Sequence, residues 1–382
     1  MKAVGIICEY NPFHNGHVYH LEKVKELCPD HTIILVMSGN FLQRGEASLI
    51  QKWDKTKIAL AYGVDLVVEL PFPFATQSAD YFAKGSIGLL KALHVDTLIF
   101  GSECGDIEKF ITLANTQLYD EKYDEQVKNY LDQGLNYPTS LSKALFNITG
   151  ITIDTPNDIL GLSYVREIIE TKANIQPICI KRTNDYHSKK LTGTITSASS
   201  IREALKKKQD IRAYVPKETL QYLKPYHTIE NYYPFLKYKI LTEMKDLDMY
   251  QSVDEGLGAR MKKFIVMSKT YDELIENIKT KRYTYQKIGR MLTHILCNFS
   301  KDDADDLRKL KYIRVLGFSS KGQQYLNAYK KKIDLPIITT FKKMNPMLEM
   351  ELRATCTYAS ILDEEDKQAL IEAEYKQKPI MK

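Results

Sequence analysis

The sequence predicts an α/β protein: a doubly wound parallel sheet followed by a mostly helical C-terminal domain. Three short apolar runs lead to this prediction, AVGIIC (residues 3–8), TIILVM (32–37) and DLVVEL (65–70). Each run is continuous rather than alternating, which is typical of a parallel strand covered on both faces. A segment with helical spacing follows each run, so the pattern indicates repeated β-α units. In such sheets, ligands bind at the carboxyl ends of the strands.

Two further strands continue the pattern. TLIFG (97–101) follows the helix-like segment 78–93, and PICIKR (177–182) follows a stretch, 106–170, whose spacing predicts helices. We place a domain boundary after Val215, so that residues 1–215 form the α/β domain.

Residues 216–382 are predicted to form a second, mostly helical domain rich in lysine, arginine and tyrosine. Two shorter strand-like pieces, 312–318 and 336–341, lie within it. A chain of 382 residues is long enough for two domains.

The composition narrows the class of protein. Hydrophobic residues make up 44% of the chain and charged residues 27%, which is ordinary for a folded globular protein and excludes a disordered one. The 6 cysteines form no CxxC pair, so neither a zinc site nor a disulfide framework is indicated, and we expect a cytoplasmic protein. We expect no signal peptide, no membrane span and no membrane partner.

A short polar motif, HNGH (14–17), stands where the first strand leads into a helix. Free N–H groups of a first helical turn attract anions, and Gly16 would let a phosphate approach the backbone closely. His14 and His17 can each donate a hydrogen bond to phosphate oxygens. The motif therefore indicates nucleotidyl transfer, although two histidines could also merely cap a helix and pack.

A second motif, SASSIR (197–202), opens a later helix. Ser199, Ser200 and Arg202 would offer hydroxyl and guanidinium donors to an anion, whereas the plainer interpretation is an ordinary helix cap. The combination of both motifs resembles the HxGH nucleotidyltransferase superfamily, whose members hold ATP phosphates with an HxGH motif and a later S-S-T-x-I-R or K-M-S-K-S loop. The resemblance implies a HUP-type α/β fold and catalytic roles for His14, His17, Ser199, Ser200 and Arg202.

The whole chain is similar to a narrower family, the bacterial tRNA(Met) cytidine acetate ligases. Seven blocks carry this resemblance in order: residues 5–20, 37–46, 63–72, 100–106, 156–165, 197–205 and 280–296. Members activate acetate with ATP as acetyl-adenylate and then acetylate N4 of the wobble cytidine of elongator tRNA(Met), forming N4-acetylcytidine. The resemblance implies the same ATP-dependent carbon–nitrogen ligase here.

The family's ATP site can be carried over by position. It corresponds to Ile7, Cys8, Glu9, Tyr10, Asn11, Pro12, Phe13, His14, Asn15, Gly16, His17, Val18, Tyr19, His20, Gly101, Asn157 and Arg182. At Gly101 a side chain would obstruct the nucleoside, Asn157 could bond a base edge, and Arg182 could neutralise phosphate; a turn, a helix cap and an exposed arginine are the plainer interpretations. Mg²⁺ is inferred from the chemistry alone, because no dedicated cluster of metal ligands is visible.

A polar loop after the second strand is a candidate site for acetate. Asn40, Gln43 and Arg44 would overhang the carboxyl edge of the sheet and could bind a small carboxylate. Acetate is already ionised at neutral pH, so its oxygen is a nucleophile without help from a strong base.

Basic and aromatic residues interleave in the second domain, as expected for binding to an RNA loop, since cations engage phosphates while tyrosines stack on unpaired bases. The candidates for tRNA binding are Lys281, Arg282, Tyr283, Tyr285, Lys287, Arg290, Lys330, Lys331 and Lys332. A solvated helix face is the plainer interpretation. We expect no DNA partner.

Two other functions remain open from the sequence. An adenylyltransferase of a small phosphorylated metabolite would use the same phosphate motifs without needing the basic domain. A non-catalytic RNA-binding protein that senses ATP would need the nucleotide site but no chemistry.

Overall fold

The computed structural model describes residues 1–182, 195–223, 227–254, 256–341 and 344–382. The first half of the chain is built on five parallel strands in the spatial order β5-β4-β1-β2-β3. Their bounds are Ala3–Cys8 (β1), Thr32–Ser38 (β2), Leu66–Leu70 (β3), Thr97–Ser102 (β4) and Gln176–Lys181 (β5). The sequence prediction of a parallel α/β core is confirmed.

Helices cover the sheet and link its strands. They are Asn15–Leu27 (α1), Lys52–Ala61 (α2), Phe72–Ala75 (α3), Ala79–Ala92 (α4), Ile107–Tyr119 (α5), Tyr123–Asp132 (α6), Tyr137–Thr149 (α7), Pro156–Glu170 (α8) and Ala198–Lys206 (α9). The strands β1, β2 and β3 are almost entirely buried, which explains their unbroken apolar sequence. Among the described residues, no helix combines the length and apolar character needed to cross a bilayer.

The C-terminal region is mostly helical, as predicted. Its helices are Lys217–Tyr222 (α10), Tyr233–Thr242 (α11), Leu257–Ile265 (α12), Tyr271–Ile278 (α13), Tyr285–Leu296 (α14), Lys301–Asp306 (α15), Ser320–Tyr329 (α16), Pro346–Ala359 (α17) and Glu364–Lys376 (α18), with short 3₁₀ turns at Ile229–Tyr232 and Leu247–Met249.

Three strands of this region extend the sheet of the first half. Ile313–Phe318 (β6) pairs antiparallel with β3, and Ile337–Ile338 (β7) and Ile380–Met381 (β8) pair parallel with β6. The sheet is therefore mixed at this edge rather than wholly parallel. The boundary after Val215 stays a prediction, but the two regions share one sheet and one hydrophobic core.

A buried ionic cluster joins the two regions. Arg314 of β6 donates to Glu69 of β3 at 3.0 Å and pairs with Glu374 of α18 at 2.5 Å, while Lys52 of α2 bonds the same two carboxylates at 2.7 and 2.6 Å. All four side chains are at most 1% exposed. Removing one partner would leave a buried charge uncompensated, which typically costs about 3–5 kcal/mol.

Candidate active site

A cavity of about 750 Å³ lies at the carboxyl ends of β1, β4 and β5. Its walls come from the start of α1, the loop between β2 and α2, the first turns of α4, α8 and α9, and the segment that leads into α14. This volume is in the range of small-molecule sites. Most predicted site residues line it: Ile7, Cys8, Glu9, Tyr10, Asn11, His14, Gly16, His17, Tyr19, His20, Gln43, Arg44, Gly101, Asn157, Arg182, Ser199, Arg202, Arg282, Tyr283, Lys287 and Arg290.

The two histidines of the HNGH motif hold the start of α1. His14 is the N-cap, and its Nδ1 accepts the Gly16 N–H at 3.0 Å. His17 Nδ1 in turn accepts the His14 N–H at 3.2 Å. A Cβ at Gly16 would lie 2.7 Å from His14 Cε1, so a side chain there would displace the imidazole that caps the helix.

Burial and these hydrogen bonds together determine the charge and the tautomer of both imidazole rings. Burial, reinforced by Arg182 and Arg202, lowers the pKa of His14 to about 3, and burial also lowers the pKa of His17. Both rings are therefore neutral near pH 7, and because each Nδ1 accepts, the proton of each neutral ring is on Nε2. The motif presents two imidazole N–H donors without a permanent positive charge.

The second motif approaches the first from α9. Ser197 is the N-cap of α9 and accepts the Ser200 N–H at 3.1 Å. Arg202 donates to the Asn11 carbonyl at 2.9 Å and pairs with Glu46 at 3.2 Å. Ser199 and Arg202 both line the cavity, and the hydrogen bond from Arg202 to Asn11 joins α9 to the segment that leads into the histidines.

The ends of β4 and β5 form the opposite wall. Asn157 Nδ2 donates to Glu103 Oε1 at 2.5 Å, and the same oxygen lies 3.6 Å from Arg182 Nε. A Cβ at Gly101 would meet no protein atom closer than 3.6 Å, which is ordinary contact. No neighbouring atom of the described residues therefore fills the space beside Gly101, and this space is open to a ligand.

The loop between β2 and α2 closes a third side. Gln43 N–H donates to Glu9 Oε1 at 2.6 Å, and Gln43 Nε2 donates to the Gln77 carbonyl at 2.8 Å. Glu9 directly follows the last residue of the central strand β1, and burial raises the pKa of its carboxyl group. The loop therefore fixes a carboxylate at the centre of the site.

The same loop packs on α14 through two glycines. Gly45 has φ +77°, and a Cβ there would lie 2.3 Å from the carbonyl carbon of Gly289. Thr293 Oγ1 donates to the Gly45 carbonyl at 2.7 Å. This contact brings Arg44 beside Arg290, and burial together with the charge of Arg44 lowers the pKa of Arg290 to about 10.

The basic wall of the cavity comes from α14 and the residues before it. Lys287 pairs with Asp254 at 3.2 Å, while Arg290 has no ion-pair or hydrogen-bond partner among the described residues. Arg282 and Tyr283 also line the cavity. The HNGH motif and a basic, aromatic wall therefore line one cavity.

Comparisons with known proteins identify the family of this chain. A family model described as HIGH Nucleotidyl Transferase matches residues 1–373. A tRNA(Met) cytidine acetate ligase of Geobacillus sp. (strain WCH70) is 43% identical over 400 residues, which cover 100% of both chains. The chain belongs to the tRNA(Met) cytidine acetate ligase family of HIGH nucleotidyltransferases. The predicted family is thereby confirmed, as is the prediction of an enzyme of the ligase class.

Other relatives extend the comparison within this family. The tRNA(Met) cytidine acetate ligase of Bacillus subtilis (strain 168) is 38% identical over 406 residues, covering 100% of this chain and 97% of that protein. The crystal structure of Thermotoga maritima TmcAL in its apo form superposes with a TM-score of 0.92 at 30% identity, over 100% of this chain and 99% of that one. A second structure of that protein, bound with alpha-thio ATP, gives a TM-score of 0.89 at 31% identity with the same coverage.

Some predicted site residues lie away from the cavity of this family member. Ser200 is 2% exposed and turns its hydroxyl toward Ser197, 2.8 Å away, because it completes the helix cap. Asn40 is buried, where its Oδ1 accepts the Lys52 N–H and its Nδ2 donates to Thr355, so it does not overhang the site as expected. Pro12, Phe13, Asn15 and Val18 are not among the residues that line the cavity, and neither are Lys281 and Tyr285.

The lysine triplet 330–332 lies at the other end of the sheet. Its neighbour Tyr329 donates to the Met1 carbonyl at 2.7 Å, and the Lys332 carbonyl lies 3.0 Å from His94 Nε2. Met1 and His94 precede β1 and β4, so this is the amino edge of the strands. The structure does not bring these lysines to the residues of α14.

Three residues that organise the site were missed in the sequence. Glu103 bonds Asn157, and Asp158 Oδ1 accepts both the Ser102 hydroxyl, at 2.6 Å, and the Glu103 N–H, at 2.9 Å. Lys55 Nζ donates to the Glu9, Ser38 and Gly39 carbonyls, and burial lowers its pKa to about 7. Glu103 and Asp158 lie in two of the sequence blocks that carry the family resemblance, and this position was the signal by which they could have been found.

Proposed function

We propose that the protein uses ATP to activate acetate as acetyl-adenylate and transfers the acetyl group to N4 of the wobble cytidine of elongator tRNA(Met). The relatives named tRNA(Met) cytidine acetate ligase and the TmcAL complex with alpha-thio ATP support this proposal. The single observation that carries it is that His14, Arg202 and Arg290 line one cavity. Residues suited to polyphosphate and residues suited to RNA therefore face the same space.

In the first step, an acetate oxygen attacks the α-phosphorus of ATP. A new P–O bond forms, the bond from the α-phosphorus to the bridging oxygen breaks, and pyrophosphate leaves with the electron pair. The Nε2–H groups of His14 and His17 would donate to the phosphate oxygens on which charge accumulates. Ser199 and Arg202 would hold the leaving pyrophosphate, so that catalysis rests mainly on positioning and charge stabilisation.

The nucleoside would occupy the wall formed by β4 and β5. Gly101 provides space beside the strand end, while Asn157 and Arg182 are already held together by Glu103. Mg²⁺ would neutralise charge on the polyphosphate when bound. No group of three histidine, cysteine, aspartate or glutamate side chains suited to a metal occurs in the described part of the chain. The phosphates and water would therefore supply most of its ligands, as is usual for Mg²⁺ with nucleotides.

Acetate would bind beside Glu9, where Gln43 and Arg44 line the cavity. A guanidinium can hold a carboxylate with two hydrogen bonds, so Arg44 is the proposed acetate ligand. Gln43 would act mainly by keeping the loop in place, because its amide already bonds the Gln77 carbonyl.

In the second step, the tRNA would bring its unpaired cytidine to the adenylate across the α14 wall. Arg290 and Lys287 would contact RNA phosphates, and Tyr283 would stack on a base. An anticodon-loop base is already unpaired, so moving it into a pocket costs little compared with a duplex base.

The proposal is tested by ATP–pyrophosphate exchange with acetate and Mg²⁺, followed by nucleoside analysis of tRNA incubated with the enzyme. Acetate-dependent exchange together with N4-acetylcytidine in elongator tRNA(Met) is the expected result. Exchange that requires a phosphorylated metabolite in place of acetate would instead indicate an adenylyltransferase. RNA binding without exchange would indicate an ATP-sensing binding protein.

A further inference from the structure

Three carboxylates among the described residues line the cavity: Glu9, Glu46 and Asp80. Two of them are engaged with cations or side-chain donors. Glu46 pairs with Arg202 at 3.2 Å and accepts the Asn11 amide at 3.3 Å.

The second engaged carboxylate is Asp80. It pairs with Arg166 at 3.0 Å and accepts the Ser163 hydroxyl at 3.3 Å. Glu9 differs from both, because its carboxylate accepts one backbone N–H, from Gln43, and has no ion-pair partner among the described residues. Glu9 is therefore the cavity carboxylate whose second oxygen remains available to a substrate.

The position of Glu9 suits contact with both substrates. It stands at the carboxyl end of the central strand, five residues before His14. Its carboxylate accepts the N–H of Gln43, and the residue after Gln43, Arg44, neighbours Arg290. Glu9 thus lies between the motif that would hold the adenylate and the wall that would bring the RNA base. Its backbone carbonyl is held by Lys55 at 3.0 Å, which fixes this position.

We propose that the Glu9 carboxylate accepts a proton from the N4 amine of the target cytidine during acetyl transfer. This inference rests on the proposed function. The amine nitrogen forms a bond to the acetyl carbon, the bond from that carbon to the phosphate oxygen breaks, and AMP leaves with the electron pair. One N4 proton passes to Glu9, which later releases it to water.

The reaction needs such an acceptor because a cytosine amine is a poor nucleophile and must lose a proton as its new bond forms. His14 and His17 cannot serve, since each Nδ1 already accepts an N–H and each Nε2 carries a proton. Lys55 cannot serve either, because its Nζ already donates to three backbone carbonyls. A carboxylate with a raised pKa is better matched to accept a proton near neutral pH than an ordinary one.

Glu9 is surrounded by groups that influence its titration. Burial is the largest effect and raises its pKa, and Glu46 adds to it, whereas the Gln43 N–H, Arg44 and Lys55 oppose the shift. Tyr164 of α8 and Cys8 of β1 also interact electrostatically with Glu9, and burial keeps both protonated by raising their pKa values.

The test compares the two half-reactions in Glu9→Gln. The amide retains the size of the side chain and can still accept the Gln43 N–H, but it cannot take a proton. Single-turnover acetyl transfer to tRNA should fall at least about 100-fold more than acetate-dependent ATP–pyrophosphate exchange. In the wild type the transfer rate should rise with pH as Glu9 ionises, and this dependence should be absent from the variant.

Asp80→Asn is the matched control, since it neutralises another carboxylate of the same cavity and should change the ratio of transfer to exchange less than about threefold. Equal losses of transfer and exchange in Glu9→Gln would overturn the inference and assign Glu9 to ATP or metal binding. Unchanged transfer would also overturn it. A wild-type enzyme that neither exchanges nor acetylates would refute the proposed function itself.

Discussion

Gly45 and Gly289 touch backbone to backbone, so that a Cβ on either residue would lie within 2.7 Å of the other's segment. Gly45 belongs to the loop beside the ATP motif, and Gly289 belongs to α14. The contact fixes the loop that positions Glu9 against the helix that carries Arg290. The geometry of the two proposed half-reactions therefore depends on a pair of residues without side chains.

Gly45→Ala should lower the free energy of unfolding more than Gly134→Ala does. Both glycines have positive φ, +77° and +82°, so both variants suffer the same backbone strain. Only at Gly45 would the new methyl group meet protein atoms, since nothing lies within 4 Å of a Cβ at Gly134. The difference should be about 2 kcal/mol in urea unfolding. Equal losses would show that the contact with α14 tolerates a side chain.

His14→Ala should reduce acetate-dependent pyrophosphate exchange about 100- to 1,000-fold, because one donor to the developing phosphate charge is lost. Loss of the N-cap should cost only about 1 kcal/mol of stability, which a thermal melt can measure. His94→Asn, at the opposite edge of the sheet, is the control and should retain exchange. A pyrophosphate-exchange rate in His14→Ala equal to that of the wild type would refute a catalytic role for the HNGH motif.

His20→Gln should make the protein less sensitive to acid. Burial lowers the pKa of His20 from 6.5 to about 4, so below pH 6.5 the unfolded chain binds a proton that the folded chain does not. Stability is therefore lost as the pH falls from 6.5 toward 4. Between pH 7 and pH 5 this single group should remove about 2 kcal/mol from the free energy of unfolding of the wild type. An identical pH dependence of unfolding in the variant would contradict this assignment.

Gly101→Ala should raise the KM for ATP at least about tenfold without lowering the melting temperature, because the added methyl group meets the ligand rather than the protein. Gly161→Ala provides the contrast, since a Cβ there would lie 2.5 Å from Phe100 Cε2 and should destabilise the fold. An unchanged KM in Gly101→Ala would place the nucleoside elsewhere in the cavity.

Arg290→Ala should weaken tRNA binding about tenfold and reduce its salt dependence, because one phosphate contact is lost. Replacing Lys330, Lys331 and Lys332 together by alanine should weaken binding less, since these lysines lie at the amino edge of the sheet. Filter binding at several salt concentrations measures both effects. A larger loss of tRNA affinity in the triple variant would indicate that the RNA binds at the amino edge of the sheet and not at the cavity.

The sequence predicts the parallel core well because buried strands such as β2 must be apolar on both faces, and this leaves a continuous pattern in the chain. It does not predict that β6 completes the same sheet, since the pairing depends on a buried cluster of Lys52, Glu69, Arg314 and Glu374 that is distant in sequence. Opposite charges far apart in a chain give no local signal.

The direction in which a side chain points also limits how well the sequence predicts the site. Ser199 and Ser200 are adjacent, yet the first faces the cavity and the second completes a helix cap. Asn40 and Gln43 share a loop, but only Gln43 reaches the site. A motif gives the position along the chain, whereas the turn of the helix or loop decides which of its members meets a ligand.

We propose that adenylate formation and acetyl transfer both occur in the cavity at the carboxyl ends of β1, β4 and β5. A pulse–chase experiment tests it most directly: enzyme charged with ATP and labelled acetate is mixed with elongator tRNA(Met) and a large excess of unlabelled acetate. Retention of the label in N4-acetylcytidine is the expected result, because on the proposed mechanism the adenylate would stay beside the α14 wall until the cytidine arrives. Dilution of the label, or no labelled nucleoside, would contradict the account.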